Sequence, residues 1–290
     1  MEAARGRETS QSPADPSAPT GRAGRNLPVA VGVGLALGAV VLVSLYTVKE
    51  IFLGVMTAFL ALAVRELTQA FASRDVRVPQ APAVAGIVAA LLAAYLAGPV
   101  GLAAALALTV LALLTWRMRA GAEGYVRDAT AALFIVGYLM LMGGIVALML
   151  AADDGADRIA IFIAVTVSSD IGGYFAGSYL GRHKMAPTIS PKKTWEGFAG
   201  SALACMIVGA WLVPWRLDDG HLWQGALIGA AAVCAAVVGD LVESMIKRDL
   251  GLKDLGTLLP EHGGVMDRLD SLIMTAPVIW LLLELFVGSS

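Results

Sequence analysis

The sequence predicts an all-α fold: a polytopic bundle of about nine transmembrane helices. Three observations carry that expectation. Of the 290 residues, 15% are charged and 58% hydrophobic, with mean hydropathy +0.74. A soluble domain carries roughly a quarter charged residues, so this chain has too little charge to cover a soluble surface. Several apolar runs reach the ~20 residues that a membrane-crossing helix needs. Connections rich in Lys and Arg also alternate with connections poor in them, as the retention of basic loops in the cytoplasm requires.

Residues 1–26 are rich in Pro, Ser, Ala, Gly and Arg without apolar periodicity, and read as a disordered tail. The apolar run at 27–46 is long for a signal peptide and is followed by no clear small-residue cleavage site, so it reads as a retained first span. The expected spans are 27–46, 50–66, 82–98, 100–116, 129–151, 158–180, 195–213, 222–243 and 270–287. A tight turn near Lys49 separates the first two. The segments 65–77, 117–127, 182–193 and 247–268 carry the Lys and Arg. That alternation places the N-terminus inside, the C-terminus outside and every polar-rich loop in the cytoplasm. The expected division is a tail (1–26), N-terminal transmembrane helices (27–128) and a C-terminal transmembrane catalytic region (129–290). Cys205 and Cys234 lie in apolar runs with no metal-ligand or redox spacing, and read as small buried residues.

Three polar segments interrupt this pattern, all near the expected cytoplasmic face. In "SSDIGGYFAGSYLGRHK" (168–184), Asp170 sits inside a span. An aspartate there costs about 2.5–3.5 kcal/mol on insertion scales, which points to a polar cavity or pathway. Tyr174 and Ser178 follow at i+4 steps on its face. Ser169, Gly173, Gly177 and Gly181 form a small-residue stripe that equally suits close helix packing. In "TISPKKTWEG" (188–197), Ser190 and Pro191 fit an N-cap and first helical position. Lys192 and Lys193 would then crowd the positive end of a helix dipole, a conflict that a bound phosphate resolves; a positive-inside anchor is the plainer account.

The third segment runs from Gly239 to Ser271. Asp240, Ser244, Lys247 and Arg248 share one helix face. Gly251 and Gly256 end the helix, and Pro260, Gly263 and Gly264 permit a tight return. Asp267 and Asp270 open the last helix, where acids are at home even without a ligand. A returning loop would bring Asp240 and Asp267 together. Two carboxylates among lysines and arginines suit Mg²⁺ with a polyphosphate. On physical grounds the chain is a membrane enzyme acting on a phosphorylated substrate.

The stretch "SMIKRDLGLKDLGTLLPEHGGVMDRLD" resembles the signature of the phosphatidate cytidylyltransferase (CDP-diacylglycerol synthase) family. Ser244, Lys247, Arg248, Lys253, Asp254, His262, Gly263, Gly264, Asp267, Arg268 and Asp270 fall at its positions. "SPKKTWEG" and "SDIGGYFAG" resemble that family's other shared segments. The resemblance covers about the last 130 residues; the first 120 match only as apolar spans. It implies the reaction CTP + phosphatidate → CDP-diacylglycerol + pyrophosphate, with Mg²⁺ required, a second metal ion allowed, and a homodimer in the cell (inner) membrane with a polar cavity open to the cytoplasm and to the lipid, without nucleic acid as partner. It implies Asp240 and Asp267 as metal ligands and Asp240, Asp267, Lys247 and His262 as the catalytic set, with His262 either donating a proton or orienting its loop. Asp170, Ser190, Lys192, Lys193, Thr194, Ser244, Arg248, Lys253, Asp254, Gly263, Gly264, Arg268 and Asp270 are the expected substrate-binding residues. Two other readings remain: a CTP-using lipid kinase or related synthase, and a transporter whose pathway Asp170 would line.

Overall fold

Val48, in extended conformation (φ −144°, ψ 117°), separates α1 (Leu27–Thr47) from α2 (Lys49–Ala72), where a tight turn near Lys49 is expected. The computed structural model describes residues 27–256, 258 and 263–288; the expected tail at 1–26 and His262 lie outside the described residues. Lys49 fixes the turn by donating from Nζ to Ala152 O at 2.5 Å. Helix α2 runs past the expected end at 66, which carries Glu66 and Thr68 into buried positions.

Helix α3 (Gln80–Met118) is 39 residues long and is interrupted at Gly98, whose φ of 63° and ψ of −152° are non-helical. Only glycine adopts such angles without strain, and Pro99 then opens the next turn, where its missing N–H costs nothing. The chain folds back at this point. Along a straight helix Gly86 and Thr109 would stand roughly 34 Å apart, yet a Cβ on Gly86 would run into the Thr109 side chain. The arms 80–97 and 99–118 therefore pack side by side.

Helix α4 (Tyr125–Ala151) is the centre of the bundle, with 67% of its apolar stretch buried against 17% for α3. It packs on α2, α3, α5 and α8. Helices α5 (Gly155–Leu180), α6 (Trp195–Arg216), α7 (Leu222–Leu250) and α8 (Met266–Phe286) complete the described helices. Seven of them, α2 to α8, are long and apolar enough to cross a membrane.

The connection between α5 and α6 departs from expectation. Ser190 does not cap a helix. Residues Ser190–Thr194 form a strand, β2, antiparallel to β1 (Lys184–Ala186) with Lys184 opposite Thr194 and Ala186 opposite Ser190. The cap is Thr194, whose Oγ1 accepts from Gly197 N at 3.1 Å. The Glu196 carboxylate reaches back to the N–H groups of Arg182 and His183 at 3.1 and 3.2 Å, and Trp195 N donates to His183 O. These bonds hold the chain extended through Lys192 and Lys193 and delay the helix by four residues. The lysines thus sit on a hairpin strand, not in a first helical turn.

At the far end of α5, Arg158 is completely buried. It donates to Asp154 at 2.6 Å, Glu284 at 3.3 Å and Gly288 O at 2.5 Å, joining the start of α5 to the end of α8. The end of α5, the start of α6, the end of α7 and the start of α8 meet at the opposite pole, together with the hairpin.

Candidate active site

The stripe on α5 is a packing surface. A Cβ on Gly172 would stand 2.6 Å from Gly200 O, and one on Gly173 2.5 Å from Ser201 Oγ, so only small residues permit this approach of α5 to α6. Ser201 Oγ donates to Ser169 O at 2.6 Å across the seam. Beyond the seam the helices, hairpin and α7 enclose a cavity of about 210 Å³ lined by Asp170, Tyr174, Lys192, Lys193, Thr194 and Asp240 among others. Both the packing and the polar readings of "SSDIGGYFAG" therefore hold, on adjoining faces of one helix. Ser178 turns away and donates to Phe175 O at 3.1 Å.

Charge is concentrated at this pole. Lys193 Nζ is paired with Asp240 Oδ2. Asp270 lies against Asp240, and Asp170 faces Asp240, Asp270, Lys193 and Arg268. Two turns along α7, Lys247 Nζ bridges Asp267 at 2.6 Å and Glu243 at 2.9 Å. Asp267 also accepts from Gly264 N at 2.7 Å and Leu255 N at 3.2 Å. Glu243 is buried beside Asp270 and Asp267, and its Oε1 has no hydrogen-bond partner. Gly251, in left-handed conformation, ends α7 as expected.

The structure brings Asp170, Lys192, Lys193, Thr194, Asp240, Arg268 and Asp270 together, and sets Lys247, Asp267 and Gly264 beside them. Asp254 lies close to Gly263 near the Asp267 carboxylate. Other expected residues take different places. Arg248 donates to Ile189 O at 2.7 Å, tying the hairpin to α7. Ser190 is in the hairpin ladder, Ser244 is half-buried, and Lys253 is exposed. The acid next to Asp240 is Asp270, whereas Asp267 is held by Lys247 and main-chain donors.

The model of the cytidylyltransferase family matches residues 29–286. The chain belongs to that family. The match reaches well beyond the C-terminal 130 residues that carry the signature. Among curated proteins, the phosphatidate cytidylyltransferase of Mycobacterium leprae is 36% identical over 282 residues, 92% of this chain and 90% of that protein. The Mycobacterium tuberculosis protein of the same name is 35% identical over 283 residues, 93% and 86% of the two chains. A Synechocystis phosphatidate cytidylyltransferase is 44% identical over 118 residues, 39% of this chain and 38% of its own length.

Two acidic residues near this candidate site escape sequence reasoning. Glu243 stands three positions after Asp240 and four before Lys247, so helical spacing alone could have placed it with them. Glu66, on α2, lies some two hundred residues from the signature, and its carboxylate accepts from Val265 N and Met266 N at 3.0 and 2.9 Å. A lone carboxylate at the edge of an apolar run was its only signal.

Proposed function

We infer that the chain is a phosphatidate cytidylyltransferase, moving the cytidylyl group of CTP to phosphatidate with release of pyrophosphate. The observation that carries the reading is the mycobacterial likeness along nearly the whole of both chains. The polar pole supports it chemically. A phosphate oxygen of phosphatidate is ionised at neutral pH, so no strong base is needed. That oxygen forms a bond to the α-phosphorus of CTP as the bond to pyrophosphate breaks. The barriers are charge repulsion and alignment. Lys192, Lys193 and Arg268 offset phosphate charge, and Lys247 holds Asp267 in register.

The residues fit a divalent cation. Asp240 and Asp270 lie side by side, Glu243 keeps an unpartnered buried oxygen, and every donor is a hard carboxylate oxygen, the type Mg²⁺ selects. No set of three His, Cys, Asp or Glu side chains converges among the described residues, which accords with Mg²⁺ taking one or two carboxylates plus phosphate oxygens and water. Asp240 and Asp267, with Asp270 beside Asp240, would hold it. Bound there, the ion would neutralise charge on the phosphates.

The same features support a membrane arrangement. Counting both arms of α3 and adding α1 gives nine crossings. The pole bearing 182–193 and 247–268 faces the cytoplasm because those connections carry the basic residues, with the N-terminus inside and the C-terminus outside. The cavity then opens where a lipid headgroup and a soluble nucleotide meet. The enzyme resides in the cell (inner) membrane, as a homodimer.

The test uses protein purified in detergent micelles with phosphatidate, Mg²⁺ and CTP labelled on the α-phosphate. Label entering the lipid with equimolar pyrophosphate, abolished by chelation and restored by Mg²⁺, is the expected result. Label released as CDP with phosphorylated lipid would identify a kinase instead. Folded protein that leaves CTP intact with every lipid acceptor would return the reading to transport.

A further inference from the structure

Every signature residue of the proposed transfer lies in the C-terminal half, but the start of α8 is held from the N-terminal half. Glu66 is 2% exposed. One carboxylate oxygen accepts from Val265 N and the other from Met266 N, the two residues that precede Asp267. These are N–H groups that a helix start leaves without helical partners, at the end where the dipole favours an anion. The approach is close enough that a Cβ on Gly264 would stand 2.6 Å from Glu66 Oε2 and 2.8 Å from Gly256 N. On its other side the same turn gives Gly264 N to Asp267 at 2.7 Å, and Leu255 N points at Asp267 as well. The turn at Gly264 is thus clamped between two carboxylates, Glu66 outside and Asp267 inside. Displacement of the turn moves Asp267, its Lys247 partner and, one helical turn on, Asp270.

We propose that Glu66 is a positioning residue of the cytidylyltransferase site: through Val265 and Met266 it fixes where the Asp267 and Asp270 carboxylates stand. The proposal rests on the reading of the site given above, and wild-type turnover in the same assay keeps the two separable. Glu66→Gln preserves shape and volume but turns one acceptor into a donor aimed at a main-chain N–H. Val64→Ala, on the same helix at a fully buried apolar position, serves as the control for general loosening of α2.

The expected result for Glu66→Gln, in folded protein of wild-type elution volume, is a fall in kcat of roughly tenfold to a hundredfold, the cost of a misplacement near 1 Å. The Mg²⁺ concentration for half-maximal activity should rise several-fold. Independently of activity, backbone amide exchange across 263–270 should quicken at least tenfold while that of α4 stays unchanged. Glu66→Asp should recover part of both losses. Wild-type kcat, Mg²⁺ response and 263–270 exchange in Glu66→Gln would overturn the proposal. So would losses of the same pattern in Val64→Ala, because the effect would then be one of helix stability alone.

Discussion

Two helix pairs in this molecule are built on the same packing device and end in different things. The arms of α3 meet along Gly86, Ala93, Ala97 and Gly101, and the groove beside them is lined by alanine, glycine and other small or apolar side chains apart from Thr109. Helices α5 and α6 meet along Gly172, Gly173, Gly200 and Ser201, with equally small side chains. In lipid no hydrophobic force drives helices together, so close contact of small residues does that work in both pairs. The α3 hairpin stops there: Thr109, the polar side chain at its contact, returns its hydroxyl to Ala105 O at 2.7 Å. In α5 the next residue on the seam's flank is Asp170, and the hairpin and α7 close over it with Lys193 and Asp240. A small-residue seam is thus scaffold in itself; it becomes a site only where charge is placed at its rim.

The largest expected effect removes that charge. Asp240→Asn should lower turnover by about a hundredfold to a thousandfold, the range for losing a group that stabilises transition-state charge, with folded protein still recovered from the membrane. Normal Mg²⁺-dependent turnover in this variant would take Asp240 out of the proposed metal site.

A single methyl on each seam sharpens the contrast. Gly172→Ala must push α5 off Gly200 O, and tenfold or more of the activity should go with the geometry of the cavity. Gly86→Ala meets the Thr109 side chain and should cost about 1–3 kcal/mol of stability by overpacking, read as faster thermal inactivation, with unchanged turnover per folded molecule. Equal activity losses in both would mean that the α3 hairpin shapes the site too. The smallest effect belongs to Ser201→Ala. Loss of its bond to Ser169 O should cost about 1 kcal/mol and less than threefold in turnover, measured by melting and initial rates.

How much of this was legible in the sequence depended on the range of the physics involved. Hydropathy located the helices because membrane spans must satisfy their own backbone bonds locally. The break at Gly98 was legible as "AGPVG", and the polar pole as Asp170, the double lysine and the signature loop. The hairpin was not. Ser-Pro-Lys-Lys looks like a helix start until Glu196 binds back to Arg182 and His183, a contact that reverses the preference of the segment. The pairing of Asp240 with Asp270, and of Asp267 with Lys247, depends on how α7 and α8 lean together, which helical spacing within each does not set. Glu66 depends on a contact across two hundred residues, which no local pattern encodes.

The buried Arg158 acts as a fulcrum. It pins the start of α5 to the end of α8, while the acids of the cavity ride on the opposite ends of the same two rods. Asp170 stands roughly 18 Å along α5 from that pin, and Asp267 roughly 25 Å along α8 from Glu284, at 1.5 Å per residue. A tilt of about 3° about the pin therefore shifts each acid by about 1 Å, a displacement large enough to change catalysis a hundredfold. Leverage of this kind lets a small change in helix tilt, such as a bilayer imposes by its thickness, reach the chemistry without disturbing a single bond at the pinned end.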